Sequence, residues 1–479
     1  MTGEYPPIGL FIAGEWRGAT GRETRPVVNP ATGEALASLP VATTADLDDA
    51  AAAAAQSFPA WRSATAFDRC RILRRAGELL RERAADIGWA TTVEQGKPIG
   101  EATAEVHAAA DIFDWFAEEG RRAYGRVVPS RREGVRNLVL RQPVGPVAAF
   151  TPWNFPITIP ARKIAAALAA GCTMVFKPAE ETPATGLALA RALHDAGLPA
   201  GVLNVVMGEP AAISTQLIRD PRIRKVSFTG STAVGRQIAH LAAEGIKRAT
   251  LELGGHAPVL VFDDADVERA AAMAASAKFR NAGQICIAPT RFLVQEGVYD
   301  RFVDAFASRI RALRVGNGLD PEVTMGPLAH DRRPPAVAAL VDDARDRGAR
   351  VVVGGTPIDG SGYFWQPTLI ADVEDGARIM NEEPFGPVAL AVPFVDVDDA
   401  IARANALPYG LASYAFTGSA ATAVEVEERI EAGMLAVNHF GLTSPETPFG
   451  GVKESGYGSE GGSEGIADYF VTKLVSESW

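Results

Sequence analysis

From Val147 onward the chain alternates short runs of β-branched and aromatic residues with longer alanine-rich amphipathic runs. Val147–Phe150, Thr173–Phe176, Leu203–Met207, Lys225–Phe228 and Ala249–Leu253 read as strands, and Ile159–Ala170, Ala184–Ala196, Ala211–Arg219 and Ala233–Ala243 read as the helices between them. Parallel strands need a long crossover, which a helix supplies, so the alternation predicts a doubly wound α/β sheet. A second series starts with Pro258–Phe262 and the helix Asp266–Lys278, and continues through Arg291–Gln295, Tyr299–Leu313, Arg350–Gly354, Val388–Phe394 and Asp398–Ala406. Two series predict two α/β units, with the break near Gly254-Gly255. Upstream, Thr44–Gln56 and Ala66–Glu94 have the spacing of long helices. The arginine-rich stretch Arg121–Val144, interrupted by Gly125, Pro129, Gly134 and Pro143, reads as a solvated hairpin. At the end, Gly456–Gly465 reads as a loop and Ala467–Ser476 as one strand.

Composition narrows the class of protein. The 479 residues are 47% hydrophobic and 22% charged, as in ordinary globular chains, and the net charge of −11 argues against nucleic acid or an anionic membrane as partner. Cys70, Cys172 and Cys286 are odd in number and lack metal-ligand spacing, so neither a disulfide framework nor a metal site is expected, and a reducing cytoplasm is the expected compartment. Neither an export signal nor a membrane-spanning run is visible.

Candidate chemistry gathers at a few motifs. Cys286 lies in Asn281-Ala282-Gly283-Gln284-Ile285-Cys286, where Gly283 permits close backbone approach and the amides keep the setting polar. It is the candidate nucleophile, against the alternative of an inert core cysteine. In Thr151-Pro152-Trp153-Asn154-Phe155-Pro156 two prolines bracket Asn154, either an oxyanion donor or an Asx-turn residue. Glu252, between leucines at a strand end, is either a base whose pKa is raised by apolar neighbours or a plain edge-strand glutamate. Thr229-Gly230-Ser231 joins a strand to a helix start, whose amides suit a pyrophosphate. Gly456-Tyr457-Gly458-Ser459-Glu460-Gly461 matches the usual dinucleotide fingerprint, but with no strand before it and no good helix after it, it reads as a flexible loop. Glu180, three residues after Lys177, can accept both hydroxyls of an adenosine ribose and would repel a 2′-phosphate, which argues for NAD over NADP; a surface ion pair is the alternative.

Together these motifs, with Glu383-Pro384-Phe385-Gly386-Pro387 and Pro448-Phe449-Gly450-Gly451, resemble those of the aldehyde dehydrogenase superfamily over essentially the whole chain. The resemblance implies an α/β fold with two doubly wound parallel-sheet domains and a small oligomerisation hairpin. The expected division is a cofactor domain over 1–120 and 145–253, a catalytic domain over 254–445, and an oligomerisation segment over 121–144 and 446–479. It implies Cys286 as nucleophile, Glu252 as general base, and Asn154 with the Cys286 amide as oxyanion hole. Pro152, Trp153, Lys177, Glu180, Gly230 and Ser231 would hold the adenosine and pyrophosphate side of NAD, with Glu383 and Phe385 on the nicotinamide ribose. A homodimer or homotetramer follows by the same analogy.

Arg162 and Arg280 each lie close to a catalytic motif, and guanidinium forks suit a carboxylate. The stretches Trp153–Lys163, Phe279–Cys286 and Gly441–Gly451 resemble those of succinate-semialdehyde dehydrogenases, in which two arginines and a serine grip the substrate carboxylate. Here they would be Arg162, Arg280 and Ser444, with solvated helix-face arginines as the alternative. Succinate semialdehyde is thus the expected substrate. α-Ketoglutarate and glutarate semialdehydes remain open, because Asn438–Thr447 and Gly456–Gly462 are also similar to α-ketoglutarate-semialdehyde dehydrogenases. Several succinate-semialdehyde dehydrogenases carry a second cysteine two residues after the nucleophile; here that position is Ala288, so a redox-switch disulfide is not expected.

Overall fold

The computed structural model describes residues 3–479 and contains two large sheets. The first has eight strands, in the order Gly456–Tyr457, Arg248–Glu252, Lys225–Thr229, Val147–Phe150, Met174–Lys177, Leu203–Val205, Leu10–Ile12 and Glu15–Arg17. Its five inner strands, from Arg248–Glu252 to Leu203–Val205, run parallel, and antiparallel strands close both margins. The second has seven, in the order Arg350–Val353, Thr368–Ala371, Val388–Phe394, Arg291–Gln295, Pro258–Val261, Ala412–Phe416 and Met434–Val437, with one antiparallel pair at the Arg350 margin. Two apolar cores result. One gathers buried residues from Leu10 to Leu253 together with Ile466, Tyr469 and Phe470, and the other gathers those from Ala257 to Phe449.

The strands and helices expected between Val147 and Leu253 are present within a residue or two, because near-continuous apolar strands buried on both faces carry a strong signal. The second series is likewise present within a residue or two, from the strand Pro258–Val261 to the helix Val397–Asn405, and the departures lie elsewhere. The Ala66–Glu94 pattern is two helices, Ala66–Glu82 and Ala84–Gln95, broken at Arg83 (φ −102°, ψ 8°). The helix Ile99–Arg121 and the N-terminal strands were not foreseen, nor were Thr368–Ala371, Ala412–Phe416 and Met434–Val437.

The hairpin stretch forms Arg126–Val128 and Val135–Pro143, and the latter pairs antiparallel with Phe470–Ser478. Residues 446–479 are shared among three places: Phe449 packs into the second core, Gly456–Tyr457 joins the first sheet, and Phe470–Ser478 joins the hairpin. The expected flexible loop at Gly456–Gly461 is corrected by that pairing, which sets Gly456 opposite Glu252 and Tyr457 opposite Leu251; the helix Gly462–Ala467 follows. Gly456 has φ 117°, and a Cβ there would lie 1.9 Å from the Leu251 carbonyl oxygen, so only glycine brings the two strands this close.

Candidate active site

The loop that carries Cys286 leaves the helix Val267–Phe279 through three successive left-handed residues, Asn281 (φ 48°), Ala282 (φ 52°) and Gly283 (φ 70°). The two non-glycine residues are held there against a cost of about 1–2 kcal/mol each. Asn281 is held on both sides of its amide: Nδ2 donates to the Asn154 carbonyl (2.9 Å), and Oδ1 accepts from Gln95 Nε2 (2.8 Å). Gln284 Nε2 donates to the Asn281 carbonyl (3.1 Å), and its Oε1 accepts from the Ala329 amide (3.0 Å). These amides shape the turn.

Cys286 and Glu252 line the same cavity, and each bears on the ionisation of the other. Glu252 is 2% exposed at the end of its strand, between Thr229 and Gly456 on the neighbouring strands. Burial, and then the nearby Glu460 carboxylate, push its carboxyl up to about 7. Burial, followed by Glu252, pushes the Cys286 thiol well above 9, although the residue is partly exposed and lines the cavity. The resting pair is therefore a neutral thiol beside a carboxyl that titrates near neutrality.

Asn154 is 2% exposed, and its Nδ2 donates to the Gln284 carbonyl (3.0 Å), two residues before the cysteine. An amide nitrogen has two hydrogens, so one N–H is left uncommitted.

Cys286 and Glu252 open onto a cavity of about 580 Å³ whose walls include Phe155, Phe449, Arg162 and Arg280. Ser444 is at the same cavity, its Oγ donating to the Glu446 carboxylate (2.6 Å). The Arg162 guanidinium lies 4.3 Å from the Phe449 ring centroid, and that of Arg280 lies 5.5 Å from Phe155. Neither arginine has a hydrogen bond or ion pair among the described residues. The arginines, the serine and the cysteine are thus brought to one cavity.

The residues expected to hold a dinucleotide lie at the strand ends of the first sheet and at its junction with the second. Gly230 and Ser231 join the strand Lys225–Thr229 to the helix Thr232–Glu244, which Ser231 caps by accepting from the Val234 amide. Lys177 is buried, with its Nζ 2.5 Å from Glu180 Oε1. Trp153, next to Pro152, packs edge-on against His330 (5.3 Å) and Phe385 (5.5 Å). Glu383 accepts from the Gly255 amide (3.3 Å), and burial pushes its carboxyl up to about 8. Phe385 has φ 40°, and Arg333 donates to its carbonyl (3.1 Å) and to that of Pro384 (2.6 Å). A helix start beside a strand end, a ribose-type carboxylate and an enclosed second carboxylate fit an adenine dinucleotide. Sequence reasoning missed Lys97, Glu105, Lys163, Glu460 and Arg333: Lys97 and Glu105 pair eight residues apart, but the loops they and the others hold are fifty or more positions away and carry no local spacing signal. Among the described residues no cluster suited to a metal ion is present.

The aldehyde dehydrogenase family model matches residues 16–475. The chain is 51% identical, over 97% of both chains, to a 4-(hydroxymethyl)benzenesulfonate dehydrogenase of Comamonas testosteroni. It is 45% identical, over 97% of its length and 96% of the relative's, to the NADP(+) succinate-semialdehyde dehydrogenase of Escherichia coli. The crystal structure of succinate-semialdehyde dehydrogenase from Burkholderia pseudomallei superposes with a TM-score of 0.96 at 41% identity, covering 98% of each chain. With the motifs, the fold and the cysteine–glutamate site in agreement, this chain belongs to the aldehyde dehydrogenase family.

Proposed function

We propose that the protein oxidises a short aldehyde bearing a distal carboxylate, with succinate semialdehyde to succinate as the leading case and NAD as the preferred cofactor. One observation carries this reading: two guanidiniums with no hydrogen bond or ion pair among the described residues share a cavity with the Cys286–Glu252 pair. Cys286 loses its proton to Glu252 and attacks the carbonyl carbon, and the tetrahedral oxyanion is met by the free Asn154 N–H and the Cys286 amide. The nicotinamide ring would supply the hydride acceptor when the cofactor is bound. The resulting thioester is hydrolysed by a water that Glu252 deprotonates, after its first proton has left. Arg162, Arg280 and Ser444 hold the distal carboxylate. Pro152, Trp153, Lys177, Glu180, Gly230 and Ser231 hold the adenosine and pyrophosphate, and Glu383 and Phe385 order the nicotinamide ribose.

Glu180 supports NAD through repulsion of a 2′-phosphate, whereas the E. coli relative is named for NADP(+). A second reading, an aromatic aldehyde bearing a carboxylate or sulfonate, draws on the cavity: about 580 Å³ is several times the roughly 150 Å³ of five waters, a space comparable to a four-carbon semialdehyde. The name of the Comamonas relative points the same way. Among the described residues no helix is long and apolar enough to cross a membrane; we place the enzyme in the cytoplasm on its odd, unpaired cysteines, which suit a reducing compartment. Self-association through the three-stranded sheet, whose Val127, Leu140 and Leu474 are exposed, gives a homodimer or homotetramer. A kcat/KM panel over succinate, glutarate and α-ketoglutarate semialdehydes, 4-formylbenzoate and butanal, with each nicotinamide, tests the reading. Butanal turning over as well as every anionic aldehyde would overturn it.

A further inference from the structure

The helix corner Glu94–Pro98 and the helix Ile99–Arg121 contain a buried ion pair that sequence reasoning did not find. Lys97 Nζ lies 2.5 Å from Glu105 Oε2, with side chains 1% and 3% exposed. Taking two charges out of water is costly, so the pair needs further partners, and each member has them. Lys97 Nζ donates to the Asn154 carbonyl (2.8 Å) and lies 4.2 Å from the Phe155 ring centroid. The other Glu105 oxygen accepts from the amides of Ile157 (3.1 Å) and Thr158 (3.2 Å) and from the Thr158 hydroxyl (3.2 Å). Those amides open the helix Thr158–Ala170, whose N-cap residue supplies no side-chain cap, so Glu105 acts as a cap from another helix.

Asn154 lies between the two anchored points. Its carbonyl also accepts from Asn281 Nδ2, and Asn281 is tied in turn to Gln95, which accepts from the Lys97 amide (3.0 Å). The corner thus grips the asparagine loop of the first sheet and the cysteine loop of the second with one polar network.

We propose that Lys97 and Glu105 are positioning residues that hold Asn154 in register with Cys286, so that the free amide N–H meets the oxyanion without reorganisation. The inference rests on the reading of Asn154 as an oxyanion donor. Neither Lys97 nor Glu105 need touch the substrate for this. A donor shifted by a fraction of an ångström forfeits much of its effect, and the loss of one such donor costs about 10²–10³ in rate.

The test is the single-turnover rate of NADH formation from butanal in Lys97→Met, Asn154→Ala and the double variant. Lys97→Met is expected to slow the burst about 10²-fold. NAD affinity and alkylation of Cys286 by iodoacetamide should stay near the parent values, which separates misplacement of one amide from general loosening. In the Asn154→Ala background Lys97→Met should add little, because both act through one group. If Lys97→Met fails to fold, Glu105→Gln, which keeps an acceptor for the helix amides, is measured in the same way. An unchanged burst in the charge variant, or the same loss in both backgrounds, overturns the proposal. An unchanged burst in Asn154→Ala alone would instead remove the oxyanion reading beneath it.

Discussion

Replacing Arg162 by methionine separates substrate recognition from folding. Burial holds the Arg162 guanidinium below the usual arginine value, with Glu460 and Glu252 opposing, and no hydrogen bond or ion pair among the described residues compensates it. An enclosed charge of that kind is unfavourable until an anion docks. A hydrogen bond to a charged group contributes about 1.5–3 kcal/mol, and at about 1.4 kcal/mol per decade its loss is worth roughly 10–150-fold in kcat/KM. Methionine keeps an unbranched, polarisable stem for Phe449. The expected result is that loss on succinate semialdehyde, little change on butanal, and a Tm no lower than the parent's. Because Arg162 also lowers the Glu252 carboxyl, rates are compared well above its value of about 7, where the carboxylate is ionised in both proteins. NADH absorbance gives the rates and a thermal melt gives Tm. Equal losses on both aldehydes, or a fall in Tm, would refute the reasoning.

Cys286→Ser is expected to abolish NADH formation while NAD still binds, and normal turnover would remove the nucleophile assignment. Only the ionised carboxylate of Glu252 accepts a proton, so with its value near 7 a kcat limited by thioester hydrolysis should rise through neutral pH and fall about tenfold per unit below it. Glu252→Gln should leave a single NADH burst with little steady turnover, and full steady rates in that variant would argue against the base. Glu180→Ala should raise kcat/KM with NADP relative to NAD; an unchanged ratio would show that the ribose carboxylate is not the discriminator. Gly456→Ala, forced to φ 117° with its Cβ against the Leu251 carbonyl, should lower Tm and kcat together, since the paired strand is the one that ends in Glu252. A variant with parent activity would show that the pairing is dispensable.

What the sequence revealed and what it hid divide along chain distance. The parallel strands of the first sheet were legible because each is apolar on both faces and bounded by an amphipathic crossover. The site motifs were legible because a proline-bracketed asparagine, a glycine before a cysteine and a glutamate between leucines impose local geometry. Strand Gly456–Tyr457 was hidden because two residues carry no periodicity and their pairing with Leu251–Glu252 spans about two hundred positions. Lys97 gave no warning either: a lone lysine between glycine and proline looks solvated until Glu105, Asn154 and Phe155 converge on it.

The same division explains how the site is built. Residues proposed to touch substrate sit in short motifs because a turn must aim each of them, and aiming is local. The groups that hold those motifs in mutual register come from elsewhere by necessity: the asparagine loop follows a strand of the first sheet, while the cysteine loop belongs to the second core. Neither core can fix the other's loop alone. The polar corner around Gln95 and Lys97 belongs to a helical segment that contacts both: Gln95 meets the side-chain oxygen of left-handed Asn281, Lys97 meets the Asn154 carbonyl, and Glu105 meets the amides at the start of an uncapped helix. Buried polar groups are tolerable only when nearly every member has a partner, so such a network favours one relative placement of the two loops over its neighbours. Register between Asn154 and Cys286 is thus a property of the assembled protein and not of either motif.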